Sequence, residues 1–316
     1  GGKRGARIEK AQAQREIVAA SYLRSREQVF LSTLKTLYRL RQVQVESHVL
    51  EEALETFARI QRQFRNRPRL GPEQEVSLSV FQLAEGEYKL RMASLTTENQ
   101  NLVRELSLAI GQDFVANPKL LPKPKKDWPS PATLEAKAEF KGSGYRIVQA
   151  ELKSAQAELS QEQGQSWPNL LLGPSYERQI QGAITTHGFG FNVALTLPLF
   201  QINGGGRAVA RAGLVQAETG MAMRDRELTT QRQVLWQSYS NAVTALKNSL
   251  SLDEVEKRHQ NTEALFSRGI IPSSLVIEAH RQMVDFTRSQ NEQELAALDA
   301  LWQIYALEGR MFQEKL

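Results

Sequence analysis

At 316 residues, 41% hydrophobic and 24% charged, the chain has the composition of an ordinary folded, water-facing protein. Its 40 Lys and Arg and 35 Asp and Glu give a net charge of +5 but interleave along the sequence, which excludes the clustered basic face of a nucleic-acid-binding protein. With no cysteine, disulfides, thiolate chemistry and Cys-ligated zinc are excluded as well.

No apolar run approaches the roughly 20 residues of a transmembrane helix. The chain opens Gly1-Gly2-Lys3-Arg4 and passes directly into helical sequence with no signal peptide, so an exported protein of this sequence is expected to have lost its start. The next 60 or so residues are rich in Ala, Leu, Gln, Glu and Arg, all good helix formers. The first helix is predicted to run unbroken to Asn66-Arg67-Pro68-Arg69-Leu70-Gly71-Pro72. At about 65 residues it would be on the order of 100 Å long. Phe30, Leu34 and Leu37, then Leu50, Leu54 and Phe57, recur along it in steps of three and four, as helices packed side by side require. Beyond the turn a second helix is expected to return antiparallel and close at Gly111.

Residues 112–143 read as a linker wrapped on a surface, with Pro118, Pro122, Pro124, Pro129 and Pro131 among Lys119, Lys123, Lys125 and Lys126. A short helix is expected from Ala132 to Phe140. Helix resumes at Tyr145 and runs to about Ser166, where Trp167-Pro168-Asn169 stops it.

The period then changes. Phe189, Phe191, Val193, Leu195, Leu197 and Leu199 alternate strictly with Gly190, Asn192, Ala194, Thr196 and Pro198. Upstream, Leu170, Leu172, Pro174 and Tyr176 alternate with Leu171, Gly173, Ser175 and Glu177. Two such runs joined by the polar stretch from Arg178 to Gly188 make a β-hairpin. Strands of about 9–12 residues with one large apolar face and one small polar face suit a membrane barrel wall. Trp167 and Phe200 fall at the open end of the hairpin, where interfacial aromatics belong. A hairpin in a soluble sheet shares the alternation, but a lone hairpin is only marginally stable and its edges need partners.

After the hairpin the opening pattern returns. Gly204-Gly205-Gly206-Arg207 repeats Gly1-Gly2-Lys3-Arg4, and another unbroken helix is expected up to Ser267-Arg268-Gly269-Ile270-Ile271-Pro272. Gly71 and Gly269 are 198 residues apart, and so are Gly111 and Gly309. A shared offset is what a duplication leaves. The last helix carries Leu295, Leu298, Trp302 and Tyr305 on one seam. The domains are therefore 1–111 and 201–316, two helical-hairpin repeats with turns near 67–72 and 267–273, separated by the linker 112–143, the helix 144–167 and the hairpin 168–200.

Taken together, these features resemble the outer-membrane efflux proteins of the TolC-like family, the exit ducts of tripartite pumps and type I secretion systems. The matching segments are Trp167-Pro168-Asn169-Leu170 through Gly173-Pro174-Ser175-Tyr176-Glu177-Arg178, Leu197-Pro198-Leu199-Phe200 with Asn203-Gly204-Gly205-Gly206-Arg207, Gly269 to Leu275 with Ala279, and Leu301 to Gly309. Gly173 to Arg178 is most similar to the heavy-metal, CzcC-like branch.

The resemblance implies a mainly α fold with a membrane β-hairpin, in which long antiparallel helical hairpins form a trimeric α-barrel tunnel continuous with an outer-membrane β-barrel. It implies a Gram-negative outer-membrane location with a periplasmic helical extension. The implied partners are a homotrimer, a periplasmic adaptor, an inner-membrane pump and outer-membrane lipid, with no nucleic acid. Leu70, Gly71, Gly269, Ile270, Ser273 and Leu275 would form the adaptor-docking tip, and Glu278 would face the aperture. Phe189, Phe191, Val193, Leu195, Leu197 and Leu199 would face lipid, with Trp167, Tyr176 and Phe200 at the interface. Segment 112–143 would belt the tunnel. The family's first hairpin and preceding helix are not in this sequence, and truncation, proteolysis or a region left out of the sequence is expected in preference to a biological variant.

No reaction is indicated. His48, His187, His259 and His280 show no metal-ligand spacing of the His-x-x-x-His kind, His187 is expected in an exposed hairpin loop, and no cofactor or metal is expected. Gly204-Gly205-Gly206 lacks the Gly-Lys-Ser/Thr of a phosphate loop. Acidic residues sit near basic ones, as in Glu151 with Lys153 and Glu254 with Arg258, and read as solvated surface. Passive conduction is the expected activity; a periplasmic adaptor or a soluble long-helix scaffold are the alternatives.

Overall fold

The computed structural model describes residues 2–135, 139–182, 184–196 and 203–314. In chain order the elements are α1 (Lys3–Arg65), α2 (Pro72–Ile110), a 3-10 turn (Pro118–Leu120), α3 (Pro131–Glu135), α4 (Ser143–Gln165), β1 (Asn169–Gln181), β2 (Ile184–Thr196), α5 (Gly204–Asn248), α6 (Leu252–Ser267) and α7 (Ser273–Glu308). They form two compact units, residues 1–25 with 140–230 and residues 26–139 with 231–316, and α1 and α5 contribute to both.

In the first unit, α1 and α4 run antiparallel. Their register is fixed by the ion pairs Lys10–Glu158 at 3.4 Å and Glu16–Lys153 at 2.8 Å. Lys153 therefore pairs across helices and not with Glu151 on its own. The buried positions on both helices are small and seven apart: Ala6, Ala13 and Ala20 on α1, and Ser143, Ala150, Ala157 and Gly164 on α4. A heptad spacing keeps one seam facing the partner, and small side chains on that seam let helix axes approach closely. The antiparallel hairpin β1–β2 follows, with Leu172 opposite Val193 and Tyr176 opposite Phe189.

In the second unit, the large apolar residues on three/four spacing form the core, as their periodicity requires. Leu34 and Tyr38 of α1 pack with Tyr239 and Val243 of α5, with Leu134 of α3, and with Leu298, Leu301, Trp302 and Tyr305 of α7. Leu50, Phe57 and Ile60 of α1 pack with Phe81 and Tyr88 of α2 and Val276 and Val284 of α7. Leu40 meets Leu106 and Leu121 in a smaller cluster. Each such large side chain contributes about 1.5–3 kcal/mol when fully buried.

Along α1, between Tyr38 and Leu50, a polar layer packs beside the buried Leu40 and Val43. The Gln42 amide donates to the Asn291 carbonyl at 2.9 Å and to the Glu294 carboxylate at 3.0 Å. Arg41 pairs with the same carboxylate. Asn291 donates to Glu46 at 2.8 Å, and Arg39 pairs with both Glu46 and Glu98. The linker is stitched in through the Lys125 backbone N–H, which donates to Glu294 at 2.9 Å. Farther along it, Tyr239 Oη donates to the Pro129 carbonyl at 2.6 Å and Trp236 Nε1 to that of Pro131 at 2.9 Å.

Several boundaries differ from the sequence expectation. The helix after Gly204 is not one rod: α5 ends at Asn248 and α6 restarts at Leu252. Ser251 explains the break. Its hydroxyl accepts from the Glu254 N–H while its own N–H donates back to the Glu254 carboxylate, a reciprocal N-cap. Glu254 is thus a cap, its carboxyl pKa lowered because the Ser251 N–H and hydroxyl both donate to it, and not chiefly a partner of Arg258. The short linker helix spans Pro131–Glu135, while Glu139 and Phe140 are not helical; residues 136–138 of the expected helix lie outside the described residues. Gly71 and Gly269 share the repeat offset but not a conformation. Gly71 precedes α2 with φ −76°, whereas Gly269 follows α6 with φ +72°. Gly111 and Gly309 do match, both closing helices in the left-handed region.

Candidate functional site

Two surfaces carry the candidate residues, and each lies within one unit. The first is the hairpin. Strict alternation places Leu170, Leu172, Pro174 and Tyr176 of β1 on the same face as Leu195, Val193, Phe191 and Phe189 of β2, each directly opposite its counterpart. The register of 13-residue strands joined at Gly182 makes this face continuous from Leu170 to Tyr176, about 20 Å at 3.3 Å per residue. The opposite face carries Gly173 across from Asn192 and Ser175 across from Gly190. Every large residue of the apolar face is exposed, Phe189 at 85% and Val193 at 64%. Such a contiguous apolar patch on a two-stranded sheet marks a contact with lipid or protein.

The strands are longer than the alternation indicated. Arg178 to Gly188, expected as a loop, is largely strand, because polar residues such as Gln179 and Thr186 complete a ladder as well as apolar ones do. His187 accordingly lies in β2 opposite Arg178, with Nδ1 against the Tyr176 hydroxyl. Tyr176 packs on Phe189 at 5.1 Å and closes the apolar band at its far end. Trp167 is exposed just before β1, and its carbonyl accepts from Lys3 Nζ at 2.8 Å. Leu197, Leu199 and Phe200 lie outside the described residues.

The second surface comprises two helix-to-helix turns. Between α1 and α2, Leu70 is half-buried and Gly71 exposed. Gly71 N–H donates to the Gln74 side chain at 3.4 Å, and Pro72 starts the helix where no N–H is needed. Between α6 and α7, the Gly269 N–H returns to the Phe266 carbonyl at 2.8 Å and the Ile270 N–H to that of Leu265 at 3.0 Å. This left-handed closure turns Ile270 and Leu275 outward, at 61% and 50% exposure, while Ser273 begins α7. Glu278 is engaged on its own helix by Arg281 at 2.7 Å and by Gln282 at 3.0 Å. Those two hydrogen bonds, Arg281 first, lower its carboxyl pKa.

Tertiary packing assembles a group the sequence spacing did not reveal. His259 and Glu263, four apart on α6, meet His280 of α7, with one ligand atom from each within 4.8 Å of the others. The expectation of scattered histidines is corrected for this pair. The i, i+4 signal was present as His-x-x-x-Glu, and only the helix turn supplies the third residue.

Among helices of the described residues none is long and apolar enough to cross a membrane. No protein-family model and no curated protein sequence matches the chain. Solved structures do match. The CmeC outer membrane channel of Campylobacter jejuni superposes with a TM-score of 0.75 at 12% identity, covering 98% of this chain and 68% of that one. The open-state MtrE outer membrane channel of Neisseria gonorrhoeae gives 0.75 at 12%, covering 98% and 72%. The outer membrane protein VceC of Vibrio cholerae gives 0.72 at 14%, covering 98% and 77%. The chain has the fold of these outer-membrane proteins, mainly helical with a two-stranded antiparallel sheet.

Proposed function

We infer that the chain is a subunit of an outer-membrane exit duct, through which exported substrate is conducted passively across periplasm and outer membrane. The observation that carries this reading is the hairpin. Two paired 13-residue strands are long enough, when tilted, to cross a bilayer's hydrocarbon, and they present an exposed apolar face backed by an opposite face that carries Gly173, Ser175, Gly190 and Asn192. Its edges demand partners in lipid, and copies of the chain, as a homotrimer, would supply them by closing a barrel. An exposed seam on α2, formed by Val76, Val80, Leu83 and Leu90, supports lateral association of copies or docking of a helical partner.

In this reading Phe189, Phe191, Val193 and Leu195 face lipid, and Trp167 and Tyr176 lie at the two interfaces. The turns at Leu70–Gly71 and Gly269–Leu275 dock the hairpin of a periplasmic adaptor that links the duct to an inner-membrane pump. Residues 112–143 form a belt. The experiment is single-channel conductance of the purified protein in planar bilayers, alongside its native mass in mild detergent. A trimer with large, ohmic conductance is the expected result; a monodisperse monomer that stays in solution without detergent and never conducts would sink the proposal.

A further inference from the structure

The interior of the second unit holds a chemical conflict at His280. This side chain is 2% exposed, and its Nδ1 lies 2.9 Å from the Val276 carbonyl. A carbonyl only accepts, so Nδ1 carries the hydrogen and a neutral ring must present a lone pair at Nε2. That Nε2 has no hydrogen-bond donor and faces Glu263 Oε1 at 3.3 Å. A nitrogen lone pair and a carboxylate oxygen repel at this distance unless a cation lies between them. A metal ion held by both atoms meets that requirement.

The surroundings fit a metal ion. His259 Nε2 lies 3.7 Å from the same Glu263 oxygen, and the two imidazoles meet edge to face with centroids 4.2 Å apart. In a tetrahedral site with bonds of about 2.0–2.1 Å, ligand atoms sit about 3.3–3.4 Å from one another, close to the two histidine–carboxylate spacings of 3.3 and 3.7 Å, and the three ligand atoms all lie within 4.8 Å of one another. The outer contacts are those that orient ligands. Val276 fixes the His280 tautomer, and Thr56 Oγ1 donates to Glu263 at 2.9 Å. Arg59 stands 3.7 Å from the other carboxylate oxygen and balances its charge. Phe57, fully buried, packs on the His280 ring at 5.2 Å. Glu263 also lines a solvent-open cleft of about 660 Å³ with Thr56, Arg59 and Gln260, which gives an ion a path in.

We propose that His259, Glu263 and His280 form a binding site for a borderline divalent transition-metal cation of the zinc class, joining α6 to α7 behind the Gly269 turn. Two imidazoles and one carboxylate select such ions over magnesium or calcium, which take mainly oxygen ligands. Three protein ligands leave a fourth position for water. The bound ion clips the two helices about two turns from their connection, and the proposal does not depend on the chain conducting anything.

The test is calorimetric titration of the tag-free, chelator-treated full chain in detergent with zinc chloride, paralleled by cobalt(II) absorption. One saturable equivalent per chain, visible cobalt bands of a four-coordinate site and a metal-dependent rise in Tm are expected. His259→Gln and Glu263→Gln, both at partly exposed positions, should each weaken zinc at least tenfold, whereas His48→Gln should leave it unchanged. His280→Gln is compared only after circular dichroism shows native helicity. Equal zinc affinity in the His259→Gln/Glu263→Gln double variant, equal binding of magnesium, or no saturable heat at all would each overturn the site. Conductance measured on the same samples is a separate readout, so failure of the duct reading and failure of the metal site are told apart.

Discussion

Asn203 reaches back across the base of the hairpin to Glu162, donating from one amide nitrogen to the Glu162 carbonyl at 3.1 Å and to its carboxylate at 2.6 Å. It does so from a left-handed backbone, φ +52°, which asparagine tolerates better than most residues. The clasp leaves no room beside it: a Cβ at Gly206 would stand 2.5 Å from both the Asn203 and the Glu162 side-chain oxygens. Gly204 and Gly205 have open space. Gly206→Ala is therefore expected to lower stability by about 1–3 kcal/mol by breaking or displacing the clasp, while Gly204→Ala and Gly205→Ala stay near wild type. Thermal melts followed by circular dichroism decide it, and equal melting of all three alanine variants would show that the clasp does not constrain the turn.

Two buried tyrosines make opposite predictions. Tyr88 Oη is buried without a hydrogen-bond partner, whereas Tyr239 Oη donates to the Pro129 carbonyl. Tyr88→Phe should be neutral or stabilising by up to about 1 kcal/mol, and Tyr239→Phe should cost about 1 kcal/mol. Urea denaturation of the two variants measures both, and a larger loss from Tyr88→Phe than from Tyr239→Phe would refute the assignment.

The same burial sets an alkaline limit. Desolvation raises the Tyr88 pKa from 10.0 to about 12, with lesser opposing and assisting charges. Because burial penalises the phenolate only in the folded state, stability is unaffected below pH 10 and falls as pH climbs toward 12, by on the order of 2 kcal/mol for this group. Tyr88→Phe should flatten the stability profile between pH 10 and 12 and leave pH 7–9 unchanged. An unaltered alkaline slope in the variant would place the sensitivity elsewhere.

Glu294 of α7 holds three groups at once: Arg41 and Gln42 of α1 and the Lys125 N–H of the linker. Removing one partner of a buried ion pair leaves the other charged and desolvated, at a cost of about 3–5 kcal/mol. Glu294→Ala is expected to destabilise by that order and to raise amide exchange at Lys125. The solvent-exposed pair Arg288–Glu292 is the control, since its loss should change stability by less than about 0.5 kcal/mol. Comparable losses from the two would remove the polar layer's structural role.

The two hairpin faces should respond differently to charge. Val193→Lys places an ammonium on the apolar face, and a charge at the centre of a lipid-facing strand costs about 2–4 kcal/mol per chain. Asn192→Lys places it on the opposite, small-residue face. Membrane insertion should fall sharply for the first and persist for the second, as scored by flotation of reconstituted protein. Equal insertion of both would contradict a lipid-facing assignment.

Wherever structure follows from neighbours in sequence, the chain could be read directly. Leu50, Leu54 and Phe57 announce their seam by spacing, Phe189 to Leu195 announce a strand by alternation, and Gly111 and Gly309 close helices as glycines do. Even the missed break at Ser251 and the small-residue heptads Ala6-Ala13-Ala20 and Ala150-Ala157 are local signals, hidden only because alanine and serine also occur where nothing is packed. The hairpin outran its alternating segment because ladder hydrogen bonds do not require apolar side chains.

What only the tertiary structure decided are the pairings across distance. Gln42 with Asn291, Asn203 with Glu162, and His280 with His259 and Glu263 join positions whose types are each common on helix surfaces. Sequence fixes which groups exist and which face of an element they occupy. Whether two polar groups meet in a desolvated space, where a hydrogen bond or a lone pair acquires its full weight, depends on how helix faces are brought together, and that is a property of the packed chain.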